Sequence, residues 1–338
     1  MKKRIVLGSG LIVFLFFSNV LNAQEDKEIK YPTLAPEARE LKPAYEAGEG
    51  EFNFSLSISE GYDNNVKLDS LRREDTFSEQ DLSLSYQRPF TDIITFFIED
   101  DLSNITYYEF SDESLISNDL KAGLDMEFSD RLKARIGYDF EVLRYYQLGE
   151  GDYWSNIPLV NLKYYITKDF YGIIGYKYID RSFIKRRIRN NAFVLLDKKR
   201  KDSRHVSICE IGYLFSQTLL KLKNEYYRNN SNDQYFNYYD YWADTVTLSV
   251  IHMFNDKLYG FLSFGRQWRQ YNDRLTRLPL ATFPVQEDKL LLGYACLNYD
   301  ITEDMSLNID YAYRENDSND PDCKYSGSII SGGLNVAF

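Results

Sequence analysis

The segment FSDRLKARIGYDFEV (128–142) sets Leu132, Ala134, Ile136, Tyr138, Phe140 and Val142 on one side of an extended chain and Lys133, Arg135, Asp139 and Glu141 on the other. Successive side chains of a strand point to opposite faces, so this pattern predicts a strand with one apolar and one charged face. The scheme recurs. Phe52, Phe54, Leu56 and Ile58 alternate with Asn53, Ser55, Ser57 and Ser59, and Leu120, Ala122, Leu124, Met126 and Phe128 alternate with Lys121, Gly123, Asp125 and Glu127. Met305, Leu307, Ile309, Tyr311 and Tyr313 alternate likewise with Ser306, Asn308, Asp310 and Arg314. The segments centred near 175, 209 and 263 have mixed faces.

Short connections of one type punctuate these segments: PFTDII (89–94), FSDRL (128–132), ITKDF (166–170), FSQTL (215–219), FNDKL (254–258) and ITEDM (301–305). Their Ser, Thr, Asn and Asp residues suit tight turns because the side chains bond the local backbone. Between them lie longer connections near 60–79, 109–117, 147–154, 182–203, 229–240, 271–287 and 315–324. This predicts about 14 strands, centred near 55, 84, 98, 123, 137, 161, 175, 209, 222, 248, 263, 295, 309 and 332, with both ends of the strand array on the short-turn side. The fold expected is all-β, a transmembrane antiparallel up-and-down β-barrel. The alternating runs reach the roughly 9–11 residues a tilted strand needs to cross a bilayer. In such a barrel the apolar face meets lipid and the polar face lines the lumen. A soluble sandwich would instead bury its apolar faces against each other.

Lys2, Lys3 and Arg4 precede the apolar IVLGSGLIVFLFF and the polar SNVLNAQ, so residues 1–23 read as an export signal cleaved after Ala23. Residues 24–50, carrying Pro32, Pro36 and Pro43, are expected to form a periplasmic leader and a candidate lumen plug, and residues 51–338 the barrel. The formal charge of −11 argues against a nucleic-acid partner. Cys209, Cys296 and Cys323 have neither metal-like spacing nor an even count for a disulfide framework, and no metal or cofactor is expected. Tyr107, Tyr108, Tyr145, Tyr146, Tyr238, Tyr239, Trp242, Phe254 and Trp268, near strand ends, are candidates for interfacial girdles, and His252 for the periplasmic interface.

The chain closes on SGGLNVAF, in which Ser331, Gly333, Val336 and Phe338 match polar, glycine, apolar and terminal-aromatic positions. This resembles the assembly signal of bacterial outer-membrane β-barrel proteins. The resemblance implies the cell outer membrane, contact with its lipid and lipopolysaccharide, and insertion by the barrel assembly machinery. SLSISEGYDNNV (55–66) resembles the opening of barrels from surface-lipoprotein or exopolysaccharide export systems.

The expected function is a porin-like channel for passive or weakly selective passage of small solutes or ions. The alternative is the barrel component of a polysaccharide or surface-protein export and assembly system. Strand parity places Glu99, Asp101, Lys121, Asp125, Glu127, Lys133, Arg135, Asp139, Glu141, Lys163, Lys177, Lys221, Lys223, Glu225, Asp310 and Arg314 in the lumen, either as a selectivity lining or as cross-strand pairs stabilising the wall. Lys185, Arg186, Arg187, Arg189, Lys198, Lys199, Arg200 and Lys201 form an external basic loop, suited to an anionic glycan or to an inward constriction. The acidic first loop, with Asp63, Asp69, Glu74 and Asp75, lacks calcium-loop spacing and is expected to be solvated. His205 and Ser207 resemble the His-x-Ser pair of outer-membrane phospholipases, with Asn229 or Asn230 as the candidate orienting group. The Asn-Gly that follows in that family is replaced by Ile208 and Cys209, and no enzyme is expected.

Overall fold

The computed structural model describes residues 50–338 apart from 148, 236 and 277–283; the expected export signal and almost all of the expected leader lie outside the described residues. Fourteen strands follow in order: β1 (Glu51–Asp63), β2 (Asp75–Thr91), β3 (Ile94–Tyr107), β4 (Leu115–Glu127), β5 (Leu132–Tyr145), β6 (Tyr153–Tyr165), β7 (Phe170–Arg189), β8 (Leu195–Phe215), β9 (Thr218–Ser231), β10 (Tyr241–Met253), β11 (Leu258–Leu275), β12 (Val285–Asp300), β13 (Met305–Ser318) and β14 (Tyr325–Ala337). Each pairs antiparallel with its neighbours in sequence, and β1 pairs with β14 to close the barrel. Closure removes the sheet edges of the barrel wall, so backbone polar groups there find partners inside the sheet.

The outward face is apolar. Ile136, Tyr138, Ile211, Tyr213, Phe264, Leu307 and Tyr311 are exposed there, with Leu262 at 57% and Ile309 at 60%. The alternating partners turn inward and are buried: Ser55, Ser57 and Ser59 on β1, Ser83 and Ser85 on β2, and Ser306, Asn308 and Asp310 on β13. An apolar exterior around a polar interior inverts the usual soluble pattern, and hydrocarbon is the medium that makes it stable.

At the seam, the Phe338 N–H donates to the Phe54 carbonyl (2.8 Å), the Phe54 N–H returns to Phe338 (3.2 Å), and the two rings lie 5.7 Å apart. Gly333 sits between β1 and β13, where a Cβ would come within 2.8 Å of the Ile58 carbonyl and closer still to the Ser59 hydroxyl. Ser331 is buried on the inward face, and Val336 lies opposite Leu56 and Met305.

Two sequence expectations are corrected. The connection expected over 182–203 is mostly strand: β7 runs to Arg189 and β8 starts at Leu195. Beyond the membrane a strand needs no apolar face, so its charges mask the alternation. The expected girdle also splits. Tyr108, Tyr146, Phe254 and Trp268 are exposed, whereas Tyr107, Tyr145 and Tyr239 are buried. Along β3 and β5 one residue's advance reverses the face, so adjacent tyrosines part company.

Candidate functional site in the barrel interior

In the half of the interior nearer the short turns, charged side chains face one another across neighbouring strands. Arg135 on β5 grips Asp125 on β4 through Nε and an Nη, both at 2.7 Å, with its guanidinium 4.5 Å from the Phe97 ring centroid. Lys133 reaches Glu127 at 2.5 Å, and Lys121 reaches Asp101 at 3.1 Å and Asp119 at 3.0 Å. Lys121 is also the register partner of Glu99 and of Asp139. Lys177 and Lys223 share Glu225 at 3.4 Å each, and higher, toward the long connections, Glu141 lies 3.7 Å from Arg181. Lys163 sits 4.0 Å above the Tyr171 ring, and Lys221 is buried on the same face of β9 as Lys223. Asp125 and Arg135 keep a third of their surface exposed, so this half holds water-accessible charge. Opposite charges on facing strands attract, which ties these groups to the wall as well as to the space they enclose.

Nearer the long connections the interior is packed. Arginines stack on tyrosines along β6–β11 and the connection between β9 and β10: Arg181 on Tyr153 (4.0 Å), Arg200 on Tyr239 (3.4 Å), Arg274 on Tyr238 (4.1 Å) and Arg269 on Tyr241 (4.8 Å). Cation–π contacts of this kind keep guanidinium groups favourable where water is scarce. Acidic groups are buried too: Glu79 and Asp81 on β2 at this level, and Asp101 on β3 and Asp310 on β13 nearer the middle of the barrel. Asp310 is held by the Tyr294 hydroxyl and the Asn308 amide. Of these groups, periodicity singled out only Asp101 and Asp310; the arginines were hidden because their strands carry mixed faces.

The first long connection, residues 64–74, folds into this region. Asn65, Val66, Lys67 and Leu68 are buried, and Val66 and Leu68 join one apolar cluster that includes Phe77, Tyr107, Leu115, Leu143, Tyr153 and Phe183 on one side and Leu290, Leu292, Tyr325 and Ile329 on the other. Arg314 fixes the connection from below. Its Nη2 donates to Asp63 Oδ2 at 2.6 Å and to the Asn65 carbonyl at 2.9 Å, with both charged side chains at 0% exposure. Asp63 also accepts from the Asn65 N–H (2.9 Å) and the Tyr107 hydroxyl (3.3 Å). Asn65 then bonds the carbonyls of Asp69 (2.8 Å) and Ser326 (2.9 Å). The expectation of a solvated first connection is thus overturned for Asp63 and Asp75, while Glu74 is exposed and Asp69 half-buried. Asp63 and Asp75 are buried because Arg314, Tyr107 and backbone N–H groups satisfy them. The signal was the run GYDNNV, whose Asp and Asn side chains stitch the turn together.

Neither a protein-family profile nor a curated protein matches the sequence. Among solved structures the chain is similar to outer-membrane expressed OmpT of Vibrio cholerae, at 9% identity and a TM-score of 0.52 over 88% of this chain and 99% of that one. It is equally similar to an anion-selective porin from Comamonas acidovorans, at 9% identity and a TM-score of 0.52 over 86% of this chain and 100% of that one. The chain folds as an outer-membrane β-barrel. Its outward apolar belt and closed sheet accord with the outer membrane; barrels of this kind carry their long connections outside and their short turns in the periplasm.

On this outer-membrane barrel the basic cluster divides. Arg200 is buried against Asp202 (2.5 Å), Arg186 bonds the Tyr239 hydroxyl (2.9 Å), and Arg189 approaches Asp233 (3.6 Å). Lys185, Arg187, Lys198, Lys199 and Lys201 are exposed. The candidate nucleophile pair does not assemble. His205 and Ser207 both face outward, but His205 Nδ1 lies 2.6 Å from the Tyr176 hydroxyl, and Asn229 is buried inside, bound to Arg204 (2.7 Å). Among the described residues no group of three or more His, Cys, Asp or Glu side chains is arranged to hold a metal ion.

The first external connection is further tied by Lys67, which bridges Asp112 (2.5 Å) and Glu113 (2.6 Å). Burial, the largest single influence, pulls the Lys67 amine down, but the bonds to the two carboxyls outweigh it and the group lies above the ordinary lysine range. Burial, the largest influence on Glu113, leaves its carboxyl above the ordinary range despite the bond from Lys67. A lysine raised on folding stabilises fully below its unfolded value and loses that contribution as pH rises through the folded one. A raised carboxyl adds stability as pH falls through its folded value. Protease cleavage within residues 64–74 is therefore expected to stay slow at neutral pH and slower still on mild acidification, and to accelerate only above the ordinary lysine value of 10.5. Lys67→Met should abolish the alkaline step. An unchanged alkaline profile in that variant counts against the bridge.

Proposed function

We propose that this protein is a narrow outer-membrane channel for small charged solutes, closed on its external side by the inward-folded first connection. The reading rests on one observation above the others: water-accessible charges of both signs lie toward the short turns on β4 and β5, while an apolar cluster that takes in the first connection crosses the external half and runs down β11 and β12 to Phe261 and Cys296. Inward charges set weak selectivity where the path is aqueous, and an apolar constriction gates by excluding water. Of the sixteen charged residues from Glu99 to Arg314 named from strand parity, those that keep exposed surface, such as Asp125, Glu127, Lys133 and Arg135, then serve two roles, pairing across the wall and presenting charge to the solute, whereas Arg314, fully buried, holds the closure. A non-enzymatic role accords with His205 bonding Tyr176 rather than Ser207.

The filled external half favours a second reading, the barrel of a polysaccharide or surface-protein export system, because a passive pore has no need of a closure. In either case Ser331, Gly333, Val336 and Phe338 are proposed as the contact with the barrel assembly machinery. Planar-bilayer recording separates the readings. A channel gives small steps in the full-length protein that grow when residues 65–73 are replaced by a short glycine linker. Conductance at background level in both proteins would remove the channel reading and leave the export one.

A further inference from the structure

The β7–β8 hairpin outgrows its neighbours. The last β6 pairing to β7 is Tyr153 with Phe183, and the last β9 pairing to β8 is Ser231 with Asp202, so the remaining arms pair with each other. The parity of β8 carries through: Arg200, Asp202 and Arg204 are buried and inward, and Lys199, Lys201 and His205 are exposed and outward. Arg187 is the direct register partner of Lys199. Arg228, exposed on β9 opposite His205, continues the same outward face toward the membrane.

The height of these cations decides what they meet. His205 and Tyr176 belong to the aromatic rim where the lipid-facing belt ends. Lys201 and Lys199 lie about 13 Å and about 20 Å further along β8, or about 10 Å and about 15 Å higher at the usual strand tilt. That is above the hydrocarbon, level with phosphate and sugar groups. Like charges set directly opposite across strands are destabilising, so the Arg187–Lys199 pairing costs stability unless an anion offsets it. The nearest carboxylate is Asp197, 3.5 Å from Arg187 but 97% exposed and thus weakly held. Asp180 and Ser203 are paired below this set. Among the described residues Lys199 and Lys201 have no ion-pair partner. The hairpin is not a loose arm. Its tip is fastened to the β9–β10 connection by Arg189, which stacks on Tyr235 (4.9 Å) and whose carbonyl accepts from the Gln234 N–H (3.0 Å), and by the Phe193–Tyr235 ring contact (4.9 Å).

We propose that the outward face of this hairpin, formed by Arg187, Lys199 and Lys201 with Arg228 at its foot, binds the phosphorylated saccharide headgroup of the glycolipid in the barrel's own outer leaflet. Ammonium and guanidinium groups pair with phosphate by charge-assisted hydrogen bonds. The outward aspect of the face selects a membrane-borne ligand, since a polymer destined for the lumen would meet the inward face. The site is separate from the channel reading and does not depend on conductance.

The test reconstitutes the full protein in phosphatidylcholine vesicles and titrates lipopolysaccharide, its deacylated water-soluble saccharide, and inorganic phosphate. Wild type should bind lipopolysaccharide much more tightly than either soluble probe. The Arg187→Gln/Lys199→Gln/Lys201→Gln variant should bind about a hundredfold more weakly, each surface cation near an anionic layer contributing a severalfold effect. Asp197→Asn, a change at a fully exposed position, should tighten binding, and it decides the matter if the triple variant assembles poorly. Equal affinity for the soluble saccharide, or lipopolysaccharide affinity indifferent to both variants, overturns the proposal.

Discussion

Replacing Arg314 by glutamine is expected to open the barrel: conductance should rise severalfold, and residues 64–74 should become accessible to protease from the external side. Arg314 and Asp63 are both fully buried, and one Nη2 holds the Asp63 carboxylate and the Asn65 carbonyl together. Removing one partner of a buried pair leaves an uncompensated charge, which costs about 3–5 kcal/mol. Asp63 would keep its bonds from the Asn65 N–H and the Tyr107 hydroxyl but have no cation beside it. The least costly response is for the connection to leave the interior, carrying Val66 and Leu68 out of the apolar cluster. The double variant Asp63→Asn/Arg314→Gln removes both charges and should recover much of the closure, because no charge is then buried alone. Conductance in Arg314→Gln indistinguishable from wild type would show that the latch lies elsewhere.

Leu262→Arg is expected to destabilise the folded barrel in lipid vesicles by about 2–4 kcal/mol, the cost of a cation on the lipid face near the bilayer midplane. Leu262 points outward from the membrane-crossing part of β11, about 10 Å above the short turn at the usual strand tilt, between Phe261 and Ser263, which are buried inside. Arginine at Ser203, outward on β8 beyond the aromatic rim, should change stability little, since it reaches water and headgroups. Urea unfolding in vesicles measures both. A loss at position 262 no larger than at 203 would mean that the exposed apolar belt does not touch hydrocarbon.

How far the sequence could be read follows from what each feature depends on. The strands were legible because period-two alternation is local: Leu132–Val142 and Met305–Arg314 announce their faces without reference to any partner. The turns were legible for the same reason. Charged lumen residues on β3–β5 could be assigned from parity, since those strands alternate cleanly. Asp63, Glu79 and the arginines of β7–β11 could not, because their burial depends on groups far off in sequence. Asp63 looks like a loop acid until Arg314 is placed beneath it. Tyr107 and Tyr239 look like girdle residues until the cluster around the first connection and the Arg200 stack draw them in. The hairpin extension escaped notice because, above the bilayer, no apolar face is required of a strand.

The sequence by itself determined a closed antiparallel barrel with fourteen crossings, an apolar exterior and a charged interior. Side-chain alternation fixes which face is which, and the lack of water in hydrocarbon leaves closure as the only way to satisfy the backbone. Tertiary structure alone decided that the interior is divided: mixed charge below, and above it an apolar and arginine–tyrosine packing sealed by the first connection. That division depends on contacts such as Asp63 with Arg314 and Val66 with the opposite wall, and long-range pairing of this kind leaves no periodic trace in the chain.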